Sequence, residues 1–511
     1  MAEASAAYAQ GDLRRAGVGA TRVLQQMPEM PEAMHLLGLC FLREGDAVRA
    51  VQLLRHAAAL RPADAMLVHH LGIALQDAGD LAGALTVLNR AAVLDPRDVD
   101  VRLNIGVVSE NAGDTAGAEQ AYRDVLEREP RHAAAAAYLS SILEQRNSLE
   151  EAAVLSDRAL EVEPREPVAN LTRAQLDLRA GRMAEAAARL REVLADPALT
   201  PRNRAVAAGR LGAAYDRLGE PEAAWQQFMA AKKALQGTFA SQPGGTYGIA
   251  AATLMHRYLD RLPDGLPPIQ GTMPVFLVGF PRSGTTLLDQ MLSGHPGIEV
   301  LEEKATLWDF LSEFAAGDAA LERLARVGDA ELEPWRRRYW QRVRDFMPGR
   351  DPQRLFVDKM PLNSLYMPLI HRLFPGARFL FALRDPRDVV LSCCMQTFTL
   401  NEAMRHFQSL DETARYYAAV MSVGAAAAVR LQDRVHLIHY EDVVADTESA
   451  ARRLLEFLEL PWEANVLDFQ RTARAKRIST PSYHQVVEPI YTRARARWRR
   501  YEHQLAPVLP L

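Results

Sequence analysis

The sequence predicts a two-part chain: an all-α repeat superhelix followed by an α/β domain built on a parallel sheet. Three observations carry that prediction. Glycine, alanine and proline recur at a fixed 34-residue spacing through the first half. In the second half, short β-branched or aromatic runs alternate with amphipathic helical patterns. A glycine-bounded loop joins the first of those runs to a helix. At 511 residues the chain has room for more than one domain.

The repeats come first. Gly11, Gly45, Gly79, Gly113 and Gly181 share one grid, with Asn147 in the missing place. Ala16, Ala50, Ala84, Ala118, Ala152 and Ala186 keep the same period, as do Pro28, Pro62, Pro96, Pro130 and Pro164; Gly38, Gly72 and Gly106 form a fourth series. Each unit reads as an apolar helix, a turn at Gly-Asp, a second helix and a closing proline. Glycine ends the first helix in a left-handed cap, alanine lets the two helices approach, and proline stops the second. The pattern resembles the tetratricopeptide repeat over residues 1–236, with a last copy (Gly212, Gly219, Ala224) four residues off the grid. That resemblance implies about six to seven repeats stacked into a superhelix whose concave face holds an acceptor peptide or partner protein. The Ala133–Ala137 run reads as helix packing. His69 and His70 read as helix-surface residues rather than ligands.

Residues 237–271 read as a linker. Ser241-Gln242-Pro243-Gly244-Gly245 and Leu262-Pro263-Asp264-Gly265-Leu266-Pro267-Pro268 are loop chemistry, and a short helix from Ile249 to Leu262 joins the two domains. The second domain occupies 272–511. Its strands are expected at 275–278, 298–301, 354–358, 378–383 and 434–439, with helices at 363–374, 386–397, 411–431 and 447–459. In such a sheet the ligand lies outside the carboxyl ends of the strands.

The residues just after those strands are chemically distinctive. Gly279, four residues, Gly284 and Thr285-Thr286 precede a helix, so unpaired amides and the positive end of the helix dipole form an anion cradle. The spacing matches G-x-x-x-x-G-K-[ST], but Thr285 replaces the lysine that reaches the outer phosphates of a nucleoside triphosphate. Its loss weighs against ATP or GTP hydrolysis and against a phosphotransferase. Lys359, Arg384-Asp385-Pro386-Arg387 with Ser392, and Tyr440-Glu441-Asp442 follow the later strands. Cations and hydroxyls at several strand ends point to more than one anionic group on the ligand.

Pro281-Arg282-Ser283-Gly284-Thr285-Thr286, together with Leu383-Arg384-Asp385 and Ser392, resembles the sulfotransferases that use 3′-phosphoadenosine 5′-phosphosulfate (PAPS). Within them it is similar to the tyrosylprotein sulfotransferase branch, over most of 273–500. The resemblance implies a fold of the P-loop nucleoside-triphosphate-hydrolase-like type. It also implies transfer of a sulfuryl group to an acceptor hydroxyl, protein tyrosine in that branch, with 3′,5′-ADP as product. By the same resemblance Pro281, Arg282, Ser283, Gly284, Thr285 and Thr286 hold the 5′-phosphate and the sulfuryl group. Arg384 and Ser392 take the 3′-phosphate, and Tyr440, Ser482 and Arg497 lie near the nucleotide, where the family has lysine at the last position. Glu303, beside Glu302, matches the general base, while Lys359 and Arg282 stabilise transferring charge. The small-molecule branch uses histidine as base; none stands there, and His295 reads as structural. The stretch from Trp308 to Asp351 reads as a lid, an acceptor wall or an ordinary amphipathic insertion.

Other classes are bounded by composition. A net charge of −4 gives no global attraction to nucleic acid. No apolar run nears the ~18–20 residues a spanning helix needs, and Met-Ala-Glu-Ala-Ser lacks a signal-peptide layout. Cys40, Cys393 and Cys394 form no disulfide framework or metal cluster, so a cytoplasmic setting without a metal is expected. Two alternatives compete with the tyrosine-directed reading. One is a sulfotransferase for a carbohydrate, lipid or small metabolite; the other is a non-catalytic repeat scaffold with a nucleotide-binding domain.

Overall fold

The computed structural model describes residues 1–237, 247–263, 265–266, 269, 271–398, 400–468 and 494–509. The chain divides into two compact units, Met1–Leu176 and Asp177–Leu511.

The first unit is helical throughout, in antiparallel pairs such as Pro31–Glu44 with Ala47–Leu60 and Ala65–Asp77 with Leu81–Leu94. Gly11, Gly45, Gly79 and Gly113 all lie in the left-handed region, and Asn147 joins them at φ 65°. Asparagine is the side chain best able to replace glycine there. Asp12, Asp46, Asp80 and Asp114 come next and cap the second helix of each pair, accepting from the amide three residues on. Gly-Asp therefore stops one helix and starts another within two residues. Ala16, Ala50, Ala84, Ala118 and Ala152 are fully buried. The fourth glycine series marks where the paired helices touch: a Cβ on Gly72 would fall 2.6 Å from Leu88.

The two histidines depart from expectation. His69 is buried and its Nε2 shares a hydrogen bond with Asn104 Nδ2 at 2.7 Å; His70 Nδ1 shares one with His35 Nε2 at 2.9 Å. They bridge consecutive repeats instead of standing on an open helix surface, because a 34-residue period stacks equivalent positions over one another. Burial, with the neighbouring His35 and His69, pushes the His70 imidazole down to about 4.

In the second unit five parallel strands run in the order β2-β3-β1-β4-β5: β1 Val275–Val278, β2 Ile298–Glu302, β3 Leu355–Lys359, β4 Arg378–Leu383 and β5 Val435–His439. Register pairs Val275 with Val357 on one side and with Arg378 on the other. Alternate residues go to opposite faces. Phe276, Val278, Phe356, Phe379 and Phe381 enter one core with the helices Asp329–Phe346, Met367–Leu373 and Leu410–Arg430. Val275, Leu277, Val357, Leu380 and Ile438 enter another with Thr285–Ser293 and Thr447–Phe457.

The chain leaves β1 for β2 on one side of the sheet and, after β3, crosses to β4 on the other side of β1. That reversal opens a crevice at the carboxyl end of β1, where open α/β sheets bind ligands.

One segment carries a different role from the one expected. The helix Ile249–Leu259, read as a connector, contributes Ala251, Ala252, Met255 and Tyr258 to the aromatic core. The helices Pro201–Leu218 and Pro221–Ala234, read as the last repeat, lie within the second unit. In the 308–351 stretch, Leu332, Tyr339 and Val343 are buried in that core, so the 329–346 helix is a packed insertion. Among the described residues no helix is long and apolar enough to cross a membrane.

Candidate active site

The loop after β1 is held by the segment that follows β3. Gly279 N donates to Pro361 O at 2.9 Å and Ser364 Oγ donates to Gly279 O at 2.6 Å. A Cβ on Gly279 would lie 2.7 Å from the Ala382 carbonyl, so glycine is what lets the loop cross β4. Pro281 is buried; Arg282 takes φ 73° and Gly284 φ 94°, turning the backbone twice before the helix at Thr285 and Thr286. Gly284 also makes room for Tyr440, whose ring would be 2.6 Å from a Cβ there. The loop expected from the sequence thus meets a residue from the end of β5.

The end of β4 closes on the same loop. Arg384 Nη1 donates to Arg282 O at 3.0 Å, its Nη2 donates to Ala494 O at 2.6 Å, and its guanidinium carbon lies 4.7 Å from the centre of the Tyr440 ring. Arg282 Nε donates to Ser392 Oγ at 3.0 Å. Asp385 caps the helix Pro386–Met395, and its amide donates to Glu441 at 3.0 Å. Arg282, Arg384, Ser392 and Tyr440 are therefore brought together.

Two buried polar atoms here, Ser283 Oγ and Arg384 Nε, find no hydrogen-bond partner among the described residues. Leaving such groups dry and unpaired costs on the order of 1–3 kcal/mol each, so they fit an anionic ligand with acceptor oxygens.

The carboxylates sit at the ends of β2 and β3. Glu303 takes φ 48° directly after β2, and its amide donates to Lys359 O at 2.8 Å. In a regular strand Glu302 and Glu303 would face opposite ways. The left-handed turn brings both to one ammonium: Lys359 Nζ lies 2.7 Å from Glu303 and 3.2 Å from Glu302. The Lys359 side chain is wholly buried, whereas that of Glu303 is 35% exposed. Burial works against the ammonium, but Glu303, Glu302 and Asp289 outweigh it and raise the lysine's proton affinity above its ordinary value. Behind it, Asp358 accepts from Thr306 Oγ1 at 2.6 Å and Tyr339 Oη at 2.9 Å. Burial pushes the Asp358 carboxyl up to about 6, against the opposing pull of those two bonds.

Ser482 lies outside the described residues. Arg497 donates through Nη2 to Asp216 at 2.5 Å, a partner the sequence did not offer. His295 bonds Pro461 O and the Gly297 amide, a structural role. Among the described residues no cluster of His, Cys, Asp and Glu could hold a metal ion.

Residues 274–464 match the model of the sulfotransferase family, and residues 1–65, 70–126 and 110–166 match the tetratricopeptide repeat. The chain is 30% identical over 254 residues to an uncharacterized protein of Aquifex aeolicus, covering 47% of this chain and 32% of that one. It is 27% identical over 233 residues to protein-tyrosine sulfotransferase A of Caenorhabditis elegans, covering 44% and 60%. With human protein-tyrosine sulfotransferase 1 it shares 28% over 235 residues, covering 44% and 62%. The chain spans less than two thirds of the length of each of these relatives.

Proposed function

We propose that this chain, which joins tetratricopeptide repeats to a domain of the sulfotransferase family, transfers a sulfuryl group from PAPS to an acceptor hydroxyl on protein tyrosine. The observation that carries the reading is the joining of two anion-binding motifs at one sheet edge: Arg282 of the β1 loop bonds Ser392, and Arg384 bonds the carbonyl of Arg282. A donor bearing phosphate at both the 3′ and 5′ positions of its ribose needs such a double site; a nucleoside diphosphate does not.

PAPS would supply the activated sulfuryl group, with 3′,5′-ADP leaving. Pro281, Arg282, Ser283, Gly284, Thr285 and Thr286 would hold its 5′ end, with amides, hydroxyls and one guanidinium aimed at the anion. Arg384 and Ser392 would take its 3′-phosphate, and Tyr440, Ser482 and Arg497 would border the nucleotide. Glu303 accepts the hydroxyl proton of the acceptor. It is suited to that step because it is partly exposed and its side chain lies 2.7 Å from the Lys359 ammonium. Lys359, held by the two glutamates at the carboxyl end of β3, offers positive charge where negative charge develops on transfer.

Tyrosine as acceptor is supported by the names of the relatives, and presentation of that acceptor is the role we assign to the repeats. The test is transfer from radiolabelled PAPS to tyrosine-containing peptides, with sugars and small phenols in parallel. Label on peptide tyrosine is the expected result. Label appearing only on a sugar or small phenol would overturn the acceptor, and no incorporation despite donor binding would overturn catalysis.

A further inference from the structure

Outside the segment that matches the sulfotransferase family, the second unit holds a buried carboxylate with three side-chain partners. Asp216 lies near the end of the helix Pro201–Leu218 and is 6% exposed. Its Oδ2 accepts from Arg497 Nη2 at 2.5 Å; its Oδ1 accepts from Arg500 Nη2 at 2.9 Å and from Tyr501 Oη at 2.7 Å. Its carbonyl accepts from Arg500 Nη1 at 3.1 Å. Left alone, a carboxylate this buried would be strongly unfavourable; here two guanidiniums and a phenol hold it. Two positive charges against one negative leave the cluster with a net positive charge.

The segment gripped in this way borders the candidate site. Ala494 O accepts from Arg384, and Trp498 N donates to Asp388 Oδ1 at 2.8 Å. The Arg387 guanidinium lies 3.8 Å from the centre of a Trp498 ring. Ala496, between these contacts, takes φ 52°, a conformation few side chains adopt without a reason in their surroundings. Arg497 is thus flanked by residues that touch Arg384 and Asp388, while Asp216 holds its Nη2. Its Nε is buried and finds no partner among the described residues.

We propose that Asp216 is a positioning residue for donor binding: it fixes Arg497 through Nη2 so that the buried Nε–H is presented to the 3′-phosphate of the nucleotide, on the side of Arg384. The inference rests on the donor reading above. A guanidinium can bond a carboxylate and a phosphate with different N–H groups in one plane, whereas an ammonium is a single point of charge. The inference also gives the 201–218 helix a role, since the donor site draws one of its supports from outside the family segment.

The test uses the full chain, with calorimetric affinities for 3′,5′-ADP and 5′-ADP and the kinetic constants for PAPS. Asp216→Asn is expected to weaken 3′,5′-ADP about tenfold, the usual size for one charge-assisted hydrogen bond, while leaving 5′-ADP unchanged. KM for PAPS should rise by a similar factor and kcat should move less. Arg497→Lys should lower the ratio of the two affinities in the same way, and the double variant should be no worse than the weaker single one. Variants that keep the wild-type ratio, with Asp216→Asn lowering only Tm, would make Asp216 a mere clamp and overturn the proposal. Should Asp216→Asn fail to fold, Arg497→Lys decides by the same ratio. A wild-type protein with no preference for 3′,5′-ADP would remove the donor reading and this inference together; a wild-type preference with unchanged variants removes this inference alone.

Discussion

Arg282 Nε donates to Ser392 Oγ across 3.0 Å, joining the loop after β1 to the helix after β4 by a side-chain bond. The two residues come from motifs that the resemblance to sulfotransferases assigns to opposite ends of one nucleotide. Their contact makes the two proposed anion sites neighbours on one wall. Ser392→Ala removes this bond while leaving Arg384 in place. The expected result is a loss of about 1 kcal/mol in unfolding free energy and a roughly tenfold weaker affinity for 3′,5′-ADP. Denaturant titration and calorimetry measure the two effects; an unchanged affinity would take Ser392 out of the donor site.

Glu303 and Arg384 should separate chemistry from binding. Glu303→Gln keeps an acceptor for the Lys359 ammonium but cannot take a proton. We expect kcat to fall at least ~100-fold with the affinity for 3′,5′-ADP essentially unchanged. Arg384→Ala should weaken the nucleotide itself. Single-turnover transfer beside equilibrium binding distinguishes them, and equal losses of both in the glutamate variant would contradict its role as base.

Asp358 gives the second unit a pH signature. Its folded carboxyl titrates at about 6 against an ordinary 3.8, so the folded state holds the proton more tightly than the unfolded chain does. The stabilisation this provides is complete below 3.8 and is lost as pH rises through about 6. Asp358→Asn keeps an oxygen acceptor for Thr306 and Tyr339 but cannot ionise. Whatever its constant offset, its stability relative to wild type should rise between about pH 4 and pH 7, by up to ~2 kcal/mol. Denaturant titrations of both proteins across that range measure this; parallel profiles would show that Asp358 does not titrate there.

The repeats supply a packing test. A Cβ at Gly72 would meet the fully buried Leu88 at 2.6 Å, whereas one at Gly79 meets nothing within 4 Å and only strains φ. Gly72→Ala should cost about 1–3 kcal/mol through forced repacking, and Gly79→Ala about 1 kcal/mol through backbone strain alone. Thermal unfolding of the two variants ranks them, and the reverse order would contradict the close helix crossing.

Much of this arrangement was legible in the sequence because it rests on local physics. The left-handed glycines, the buried alanines and the substitution at Asn147 follow from what a helix end or a close crossing demands of one residue. The five strands appeared within a residue or so of their expected bounds, since short β-branched runs between turn residues have few alternatives. What escaped depends on distant partners. Asp216 occupies a place that holds Tyr8, Leu42, Gln76, Glu110, Glu144 and Leu178 in the other repeats, so nothing local marked it as the partner of Arg497 and Arg500. His69 and His70 looked like surface residues because their partners lie 35 positions away on neighbouring repeats. The connector at 249–259 hid its role likewise: only the fold shows Tyr258 inside the aromatic core.

The most direct measurement is thermal stabilisation of the full chain by 3′,5′-ADP compared with 5′-ADP, since only the first carries phosphate at both ends of its ribose. At a concentration 100 times its Kd, 3′,5′-ADP should add about 2.7 kcal/mol to stability. The same concentration of 5′-ADP should add much less. Equal stabilisation by the two, or none by either, would contradict a site built around Arg282, Arg384 and Ser392 for a doubly phosphorylated donor.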